Sequence, residues 1–214
     1  LALLSEFSDF EITKGVLEDQ KLLFDSVSSF KPNLIVHLAA QAGVRYSLEN
    51  PDTYIQSNVV GTLNILEAAR RQSIGHLLMA STSSVYGAND KLPFRESEKA
   101  DSQLTIYAAT KKAMESMSHA YSHLWQIPTT VLRFFSVYGP WGRPDMALFR
   151  FVDAILNREK IQLYNEGQMY RDFTYIDDLV NMILSVMHII PLHPDIREEP
   201  FGSDTISPVA PWRL

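Results

Sequence analysis

Short apolar runs alternate with longer amphipathic segments over most of the 214-residue chain. Residues 34–38 form an almost continuous apolar run, which is typical of a strand buried in a parallel sheet. Residues 18–30, just before it, carry apolar side chains at the spacing of an amphipathic helix. The same patterns predict strands at 75–81 and 128–135 and helices at 50–72 and 105–125. This alternation predicts an α/β fold built on a doubly wound parallel sheet.

Small and hydroxyl-bearing residues follow three of the predicted strands, at positions 37–40, 81–84 and 135–136. Ligands of open α/β sheets bind beyond the carboxyl ends of the strands. The sequence therefore predicts a ligand site at that edge of the sheet.

The helix predicted at 105–125 begins with a Y-x-x-x-K motif formed by Tyr107 and Lys111. This spacing places both side chains on one helix face, one turn apart. A phenol with a pKa near ~10 is a poor base at neutral pH, and an adjacent cation favours its phenolate. The hydroxyl of Thr82 comes from a separate strand end and is suited to relay a proton. Such a trio fits the removal of a proton from a secondary alcohol while a hydride leaves its carbon. The alternative for Tyr107 and Lys111 is an exposed helix face.

The remaining elements suggest how the chain is divided. A short strand is predicted at 10–13, and beyond Pro140 a helix at 147–157, a strand at 161–164 and a helix at 176–190. The segment 191–214 contains five prolines and is predicted to be irregular. The predicted domains are therefore 1–140 and 141–190, followed by the irregular segment 191–214.

Composition argues against several classes of protein. The formal net charge of -6 and the pI of about 5.5 argue against broad nucleic-acid binding. The chain has no cysteine, which excludes disulfides and thiolate metal sites and fits a cytoplasmic protein. His119 and His123 have the spacing of a metal-binding pair, but no third ligand is evident, so no metal site is predicted. No apolar run approaches the ~18 residues of a membrane span.

Five motifs in order resemble the extended short-chain dehydrogenase/reductase family, and within it the UDP-glucuronate 4-epimerases. They are HLAAQAGVRYS at 37–47, STSSVYG at 81–87, YAATK at 107–111, RFFSVYGPWGRPD at 133–145 and YRDFTYIDD at 170–178. The resemblance implies that 1–140 is a partial NAD-binding Rossmann domain whose parallel sheet lacks its N-terminal βαβ unit. It implies that 141–190 is part of a small C-terminal substrate-binding domain, with a return to the Rossmann sheet. It also implies tightly held NAD, a UDP-sugar substrate and inversion at C4 through a transient 4-keto sugar, here converting UDP-glucuronate to UDP-galacturonate.

The resemblance also implies roles for individual residues. Tyr107 would be the base, Thr82 the proton relay, and Lys111 would bind the nicotinamide ribose and depress the pKa of Tyr107. Further cofactor contacts are implied for Ala39, Ala40, Gln41, Asn58 and Phe134. Substrate contacts are implied for Arg45, Thr82, Ser83, Ser84, Ser136, Arg143 and Arg171. Arg171 would bind the diphosphate, a task suited to a bidentate guanidinium.

Simpler roles remain open for some of these residues. Ser83 and Ser84 are alternatively caps at the end of a strand. Arg171 is alternatively a structural partner of Asp172, Asp177 or Asp178.

The residues after Thr82 bear on the type of reaction. Nucleotide-sugar 4,6-dehydratases of the family have an Asp-Glu pair there, because elimination of water needs an acid and a base. Ser83 and Ser84 occupy these positions here, which favours epimerisation. UDP-glucose is the alternative substrate, since replacing a carboxylate by a hydroxymethyl group needs few changes.

The chain departs from the family pattern at its start. It begins at Leu1 without an initiator methionine or a signal peptide, and it contains no G-x-x-G-x-x-G loop for a pyrophosphate. Gly15-Val16 also stands where relatives have Gly-Asp, and that aspartate would contact the adenine. The chain is therefore expected to be an internal piece of an epimerase; the alternative from another class is a non-catalytic remnant or pseudoenzyme.

Two further expectations concern the whole chain. Epimerases of this family pair two helices into a dimer interface, so a homodimer is expected for the complete protein through 50–72 and 105–125. Met114, Met117 and Tyr121 would form the contacting stripe or belong to the core. Because the missing strands include the centre of the family's sheet, these 214 residues alone are expected to fold poorly.

Overall fold

A computed structural model of the protein describes residues 3–161, 163–168, 170–193, 195 and 206–214. Its helices are α1 Gln20–Phe30, α2 Tyr46–Glu49, α3 Pro51–Tyr54, α4 Gly61–Gln72, α5 Ile106–Trp125, α6 Ala147–Leu156 and α7 Ile176–Met187. Its strands are β1 Leu34–His37, β2 His76–Thr82, β3 Thr129–Phe134, β4 Ser136–Tyr138, β5 Phe173–Tyr175 and β6 Trp212–Arg213. The chain divides into two compact units, Leu1–Arg133 with Ile190–Leu214, and Phe134–Ile189. The assignment of 1–140 to NAD and of 141–190 to substrate stays a prediction.

The first unit contains a four-stranded sheet in the order β1-β2-β3-β6. β1 pairs with β2 in parallel, with Leu34 opposite His76 and His37 opposite Met79. β3 and β6 are also parallel. The predicted α/β class with a parallel, Rossmann-like sheet is confirmed.

The core lies between one face of this sheet and three helices. Leu77 and Met79 point to the same face because side chains alternate along a strand, and neither is exposed. They pack with the buried residues Ile65, Leu66, Ala69, Ile74, Met114, Ile127 and Val131, and Leu23 of α1 packs against the cluster. Met114 belongs to this core, while Met117 and Tyr121 pack against it, so this stripe contributes to the core. Homodimerisation stays a prediction.

The helix predicted at 50–72 is interrupted by a π turn. Pro51 occupies the first turn of α3, where its missing N–H costs no helical hydrogen bond. The wider π turn Ile55–Val60 then joins α3 to α4. Turns of this kind occur frequently at functional sites, and this one carries Asn58.

The strand predicted at 10–13 is wrong, because these residues have no regular structure. A strand needs a neighbour to satisfy its backbone groups, and in the described part of the chain no strand pairs with the outer edge of β1. Phe10 and Ile12 are accordingly exposed.

The strand predicted at 161–164 is also wrong for its described residues, and Gln162 lies outside them. Ile161 and Leu163 have no regular structure, and Tyr164–Gly167 forms a short 3-10 turn. Within this turn Asn165 and Glu166 adopt left-handed φ angles of 47° and 54°. Because left-handed angles differ from those of extended backbone, no strand can continue through these two residues.

The segment predicted to be irregular, 191–214, contains strand β6. Of this segment, residue 194 and residues 196–205 lie outside the described part. Trp212 and Arg213 pair with Thr129 and Thr130 and so cover the edge of β3 that would otherwise be open. Side chains of α5 hold the segment in place: Ser118 Oγ accepts from Trp212 Nε1 at 3.1 Å, and His119 Nε2 lies 2.9 Å from Ser207 Oγ. Proline content predicted the irregularity, but it gave no indication of this long-range pairing.

The second unit has two parallel strands and two helices. β4 pairs with β5, with Ser136 opposite Phe173 and Tyr138 opposite Tyr175. Both helices are strongly amphipathic in sequence, yet α6 has no buried residue and α7 buries only Leu179 among those that the structure describes. Leu156 is 76% exposed. Within the described ranges, no helix combines the length and the apolar character needed to cross a membrane.

We expect the chain on its own to lack a cooperative thermal unfolding transition and to associate at micromolar concentration. The outer edge of β1 is unpaired in the described part, and α6 and α7 expose apolar side chains, both of which favour aggregation. Circular dichroism melting with light scattering measures this. A single sharp transition from a monodisperse sample with NAD would contradict the expectation.

Candidate active site

Thr82 ends β2 and begins the turn that carries the two following serines. Its backbone is extended, with φ -152° and ψ 147°, and its Oγ1 accepts a hydrogen bond from the Ser84 amide at 3.2 Å. The same hydroxyl donates to Ser84 Oγ at 3.3 Å. Thr82 therefore caps the turn Ser83–Tyr86, and Ser83 and Ser84 are left half-buried at the carboxyl edge of the sheet. This arrangement gives three hydroxyl groups in succession.

Tyr107 and Lys111 lie in the first two turns of α5. The helix begins after Thr105, whose Oγ1 accepts from the Ala108 amide at 3.2 Å, as in an N-cap. Tyr107 is half-buried and Lys111 is only 3% exposed. The alternative of an exposed helix face is therefore wrong. The turn Ser83–Tyr86 packs against α5, the helix that carries the Y-x-x-x-K motif. That the hydroxyl cluster and this motif form one site stays a prediction.

The ring of Tyr107 has an aromatic neighbour that holds the adjacent loop. Tyr54 is fully buried, and its ring meets that of Tyr107 edge to face with centroids 6.1 Å apart. The Tyr54 hydroxyl donates to the carbonyl oxygens of Gly43 at 2.5 Å and Ala42 at 3.0 Å. Tyr54 thus packs the loop after β1 beside Tyr107. Sequence reasoning missed this role of Tyr54, because no short motif marks the residue.

In the described part of the chain, no carboxylate forms an ion pair with the buried ammonium group of Lys111. Within the described residues, its hydrogen-bond partner is the sulfur of Met114 at 3.4 Å. Burial lowers the pKa of Lys111 to about 8, and the charge of Glu115 partly opposes this. At pH 7 the group is still largely protonated. A buried cation with a weak partner fits a polar ligand group, such as a ribose hydroxyl.

His37 ends β1 near this cation. The pKa of His37 is lowered to about 4, mainly because the ring is buried and secondly because of the charge of Lys111. The imidazole is therefore neutral at pH 7, as expected of a core histidine.

Asn58 joins the loop after β1 to α5. Its Oδ1 accepts from the Gln41 amide at 2.8 Å, and its Nδ2 donates to the Gln41 carbonyl at 3.0 Å. Asn58 Nδ2 also donates a hydrogen bond to Thr110 Oγ1 at 3.0 Å, and Thr110 Oγ1 in turn donates to the Tyr107 carbonyl at 2.9 Å. The π turn is what presents Asn58 at this point. Asn58 therefore fixes the loop containing Ala39 and Ala40 relative to Tyr107, while its direct contact with a cofactor stays a prediction.

Other predicted residues lie at the surface or in the second unit. Arg45 is exposed and precedes α2. Phe134, Ser136, Arg143 and Arg171 all belong to the second unit.

Within the second unit, the two arginines differ. Arg143 Nε donates to Asp145 Oδ1 at 3.0 Å, its Nη2 bonds to the other carboxylate oxygen, and Arg143 holds the pKa of Asp145 below its ordinary value. Arg171 is exposed, and its Nη1 donates to the Tyr170 carbonyl at 3.0 Å. Among the described residues no carboxylate forms an ion pair with Arg171, so its pairing with Asp172, Asp177 or Asp178 is wrong. The Ser136 amide donates to the Asp172 carbonyl at 3.2 Å, which places Ser136 on the strand beside this arginine's segment.

The described residues contain no group of three or more His, Cys, Asp or Glu side chains that could hold a metal ion. His119 and His123 instead bond to the segment before β6, His123 through Nδ1 and the Val209 carbonyl at 2.7 Å. The first unit thus offers hydroxyl, phenol and ammonium groups, which suit proton transfer to and from an alcohol.

Comparison with known proteins agrees with this geometry. A profile described as the NAD dependent epimerase/dehydratase family matches residues 3–190. The probable UDP-glucuronate 4-epimerase of Rhizobium meliloti (strain 1021) is 53% identical over 213 residues, which are 100% of this chain and 62% of that protein. The UDP-glucuronic acid 4-epimerase of Bacillus cereus, solved in complex with UDP-glucuronic acid and NAD, superimposes with a TM-score of 0.81 at 31% identity. That match covers 87% of this chain and 58% of the other.

A second solved structure carries a different sugar. The UDP-glucose 4-epimerase of Thermotoga maritima, solved with UDP-glucose, has a TM-score of 0.78 at 26% identity. The match covers 85% of this chain and 63% of the Thermotoga maritima chain. The chain therefore spans about three fifths of the length of the relatives that it matches.

We expect the ammonium of Lys111 to titrate with a midpoint near pH 8, because burial lowers its pKa from 10.5 to about 8. The measurement is heteronuclear NMR of the lysine Cε–Nζ groups, with Lys111 assigned by Lys111→Arg. The sample is a chimera in which this chain replaces the 213 matching residues of the Rhizobium meliloti relative. Lys21 is the internal control, because its hydrogen bond to Asp25 raises its pKa above 10.5. A midpoint for Lys111 above pH 10 would contradict the assignment.

Proposed function

The chain belongs to the NAD dependent epimerase/dehydratase family, and from this premise we propose that it performs the C4 epimerisation of a UDP-sugar. The substrate that we propose is UDP-glucuronate, which is converted to UDP-galacturonate through a transient 4-keto sugar. The observation that carries the proposal is that the turn after Thr82 packs against α5, the helix that carries Tyr107 and the buried Lys111. The names of the Rhizobium meliloti and Bacillus cereus relatives support the choice of sugar.

The residues around Lys111 fit the nicotinamide-ribose half of NAD. The buried ammonium has only the Met114 sulfur as its described hydrogen-bond partner and can donate to ribose hydroxyls. Ala39 and Ala40 have small side chains, which let a ligand approach the backbone of the loop that Asn58 fixes. Bound there, NAD would supply the acceptor and donor for the hydride of C4.

Tyr107 and Thr82 manage the proton of the 4-hydroxyl group. The Tyr107 phenolate accepts this proton through the hydroxyl of Thr82, which can accept and donate at once. The charge of Lys111 favours the phenolate, because opposite charges stabilise each other in a site of low polarity. Tyr107 would give the proton back to the 4-oxygen when the ketone is reduced from its other face, which would invert the sugar at C4.

Ser83 and Ser84 favour epimerisation over elimination. Removal of water from a sugar needs an acid and a base near the carbon that loses hydroxide, and neutral serine hydroxyl groups supply neither. Neutral hydroxyl groups can instead donate to the hexose carboxylate without adding charge beside the ketone. We assign Ser136 to the same task and Arg171 to the diphosphate, since Arg171 has no carboxylate partner among the described residues. Arg143 would have to exchange Asp145 for the substrate.

The competing hypothesis is a non-catalytic remnant. The chain has no G-x-x-G-x-x-G loop, so nothing within it supplies the backbone amides that this loop gives to the pyrophosphate. Calorimetric titration of the chain itself with NAD tests this directly. The intact Thr82, Tyr107 and Lys111 favour the enzyme.

We expect the chimera to convert UDP-glucuronate to UDP-galacturonate, with UDP-glucose turned over at least ~10-fold more slowly. Tyr107→Phe removes the base and should lower kcat by about 10³-fold, and Thr82→Val should lower it by about 10²-fold. Tyr121→Phe is the matched control, because it removes a phenol hydroxyl from the same helix that bonds only to Glu67 in the described part. Chromatography of the two UDP-sugars measures each rate.

Two results would contradict the proposal. Equal loss in Tyr107→Phe and Tyr121→Phe would mean that Tyr107 has no chemical role. Faster turnover of UDP-glucose than of UDP-glucuronate would assign the alternative substrate.

A further inference from the structure

A buried carboxylate that the proposed chemistry does not use lies one helical turn beyond Lys111. Glu115 on α5 is 2% exposed, and both of its oxygens are engaged. Oε1 accepts from Ser81 Oγ at 2.6 Å and from Arg133 Nε at 2.9 Å. Oε2 accepts from Arg133 Nη2 at 2.9 Å and from Lys112 Nζ at 3.2 Å. One carboxylate thus joins α5 to the ends of β2 and β3.

The side chain of Arg133 is also largely removed from water. It is 6% exposed and forms a bidentate pair with Glu115, the geometry that fixes direction best. The guanidinium carbon also lies 4.7 Å above the ring of Tyr86, and that ring stacks on Phe94 with centroids 4.5 Å apart. Tyr86 closes the turn that begins after Thr82. Glu115 therefore bonds to Ser81 before this turn, and its partner Arg133 contacts Tyr86 at the end of the turn.

The network involves the neighbours of the proposed catalytic residues. Ser81 directly precedes Thr82, the proton relay. Glu115 follows Lys111 by four residues and Tyr107 by eight, so all three lie on one face of α5. Burial alone raises the pKa of Glu115, but Arg133, Ser81 and Lys112 outweigh burial and hold that pKa below its ordinary value, so the carboxylate is charged at pH 7.

We propose that Glu115, together with Ser81 and Arg133, is a positioning clamp that fixes Thr82 relative to Tyr107. The inference rests on the proposed function, since it concerns the proton path of that reaction. The three residues touch neither substrate nor cofactor in it; they act through β2 and α5. The clamp sets how far α5 can slide or rotate against the end of β2, and hence the gap that the proton crosses.

A purely stabilising role fits these contacts less well. Buried ion pairs contribute little to net stability, because desolvation offsets most of the attraction between the charges, and apolar residues of similar volume often replace them without loss. A small misplacement of a catalytic group, by contrast, costs up to about 10²-fold in rate. The clamp therefore matters more for the rate than for the fold.

The sharpest variant is Ser81→Ala, which removes one hydroxyl and leaves the ion pair in place. We expect kcat of the chimera with UDP-glucuronate to fall about 10-fold, with KM and the Kd for NAD unchanged within about 2-fold. Ser122→Ala is the matched control, because Ser122 is a fully buried serine of the same helix whose Oγ has no hydrogen-bond partner among the described residues. It should leave kcat unchanged.

A second pair of variants separates position from stability. Glu115→Gln strands the Arg133 charge, and we expect it to lower Tm by about 10 °C and to reduce kcat. The double variant Glu115→Met with Arg133→Met removes both charges; we expect Tm to recover to within a few degrees while kcat stays about 10-fold to 10²-fold low. Tm is measured by calorimetry and the Kd for NAD by titration, so two readouts do not depend on turnover.

The outcomes are distinct. Recovery of kcat together with Tm in the double variant, or an unchanged kcat in Ser81→Ala, would overturn the clamp while leaving the proposed function intact. A parent chimera that binds NAD but has no 4-epimerase activity would overturn the proposed function and, with it, the clamp. A low kcat with normal Tm, KM and Kd supports both.

Discussion

The structure depends on the burial of charged groups beneath the carboxyl edge of one parallel sheet. Lys111, Glu115 and Arg133 are all removed from water where α5 meets β2 and β3. Such burial is unfavourable unless each charge finds a partner, and here Glu115 and Arg133 form an ion pair, although Arg133 Nη1 has no hydrogen-bond partner among the described residues. The third, Lys111, has the Met114 sulfur as its hydrogen-bond partner among the described residues, and burial lowers its pKa to about 8.

Rigidity around this cation comes from neutral groups. Asn58 uses three hydrogen bonds to join the loop after β1 to Thr110, and Tyr54 joins the same loop to the ring of Tyr107. Neither residue brings charge into the site. The division is physically sensible, because a fixed amide orients its surroundings without competing for the proton that we propose Tyr107 and Thr82 exchange.

The sequence allowed the main sheet and helix α5 to be predicted, because hydrophobic periodicity and helix caps depend on residues close together in the chain. β1, β2, β3 and α5 were each predicted to within a few residues, and Thr105 is an N-cap of an ordinary kind. The errors concern long-range pairing: residues 10–13 lack a neighbour in the described part, and β6 finds one 83 residues away. Glu115 was missed for the same reason, since its partners come from two other elements. Only its spacing from Lys111 could have suggested it.

The position of β6 has a consequence for how the chain is made. A ribosome releases Thr129 and Thr130 long before Trp212 and Arg213, so the fourth strand cannot join the sheet until the whole inserted second unit has been synthesised. Closing so long a loop is slow, and during this delay the edge of β3 is open to pairing with other chains. A nascent chain of this protein therefore exposes the edge of β3 for as long as the second unit takes to be synthesised.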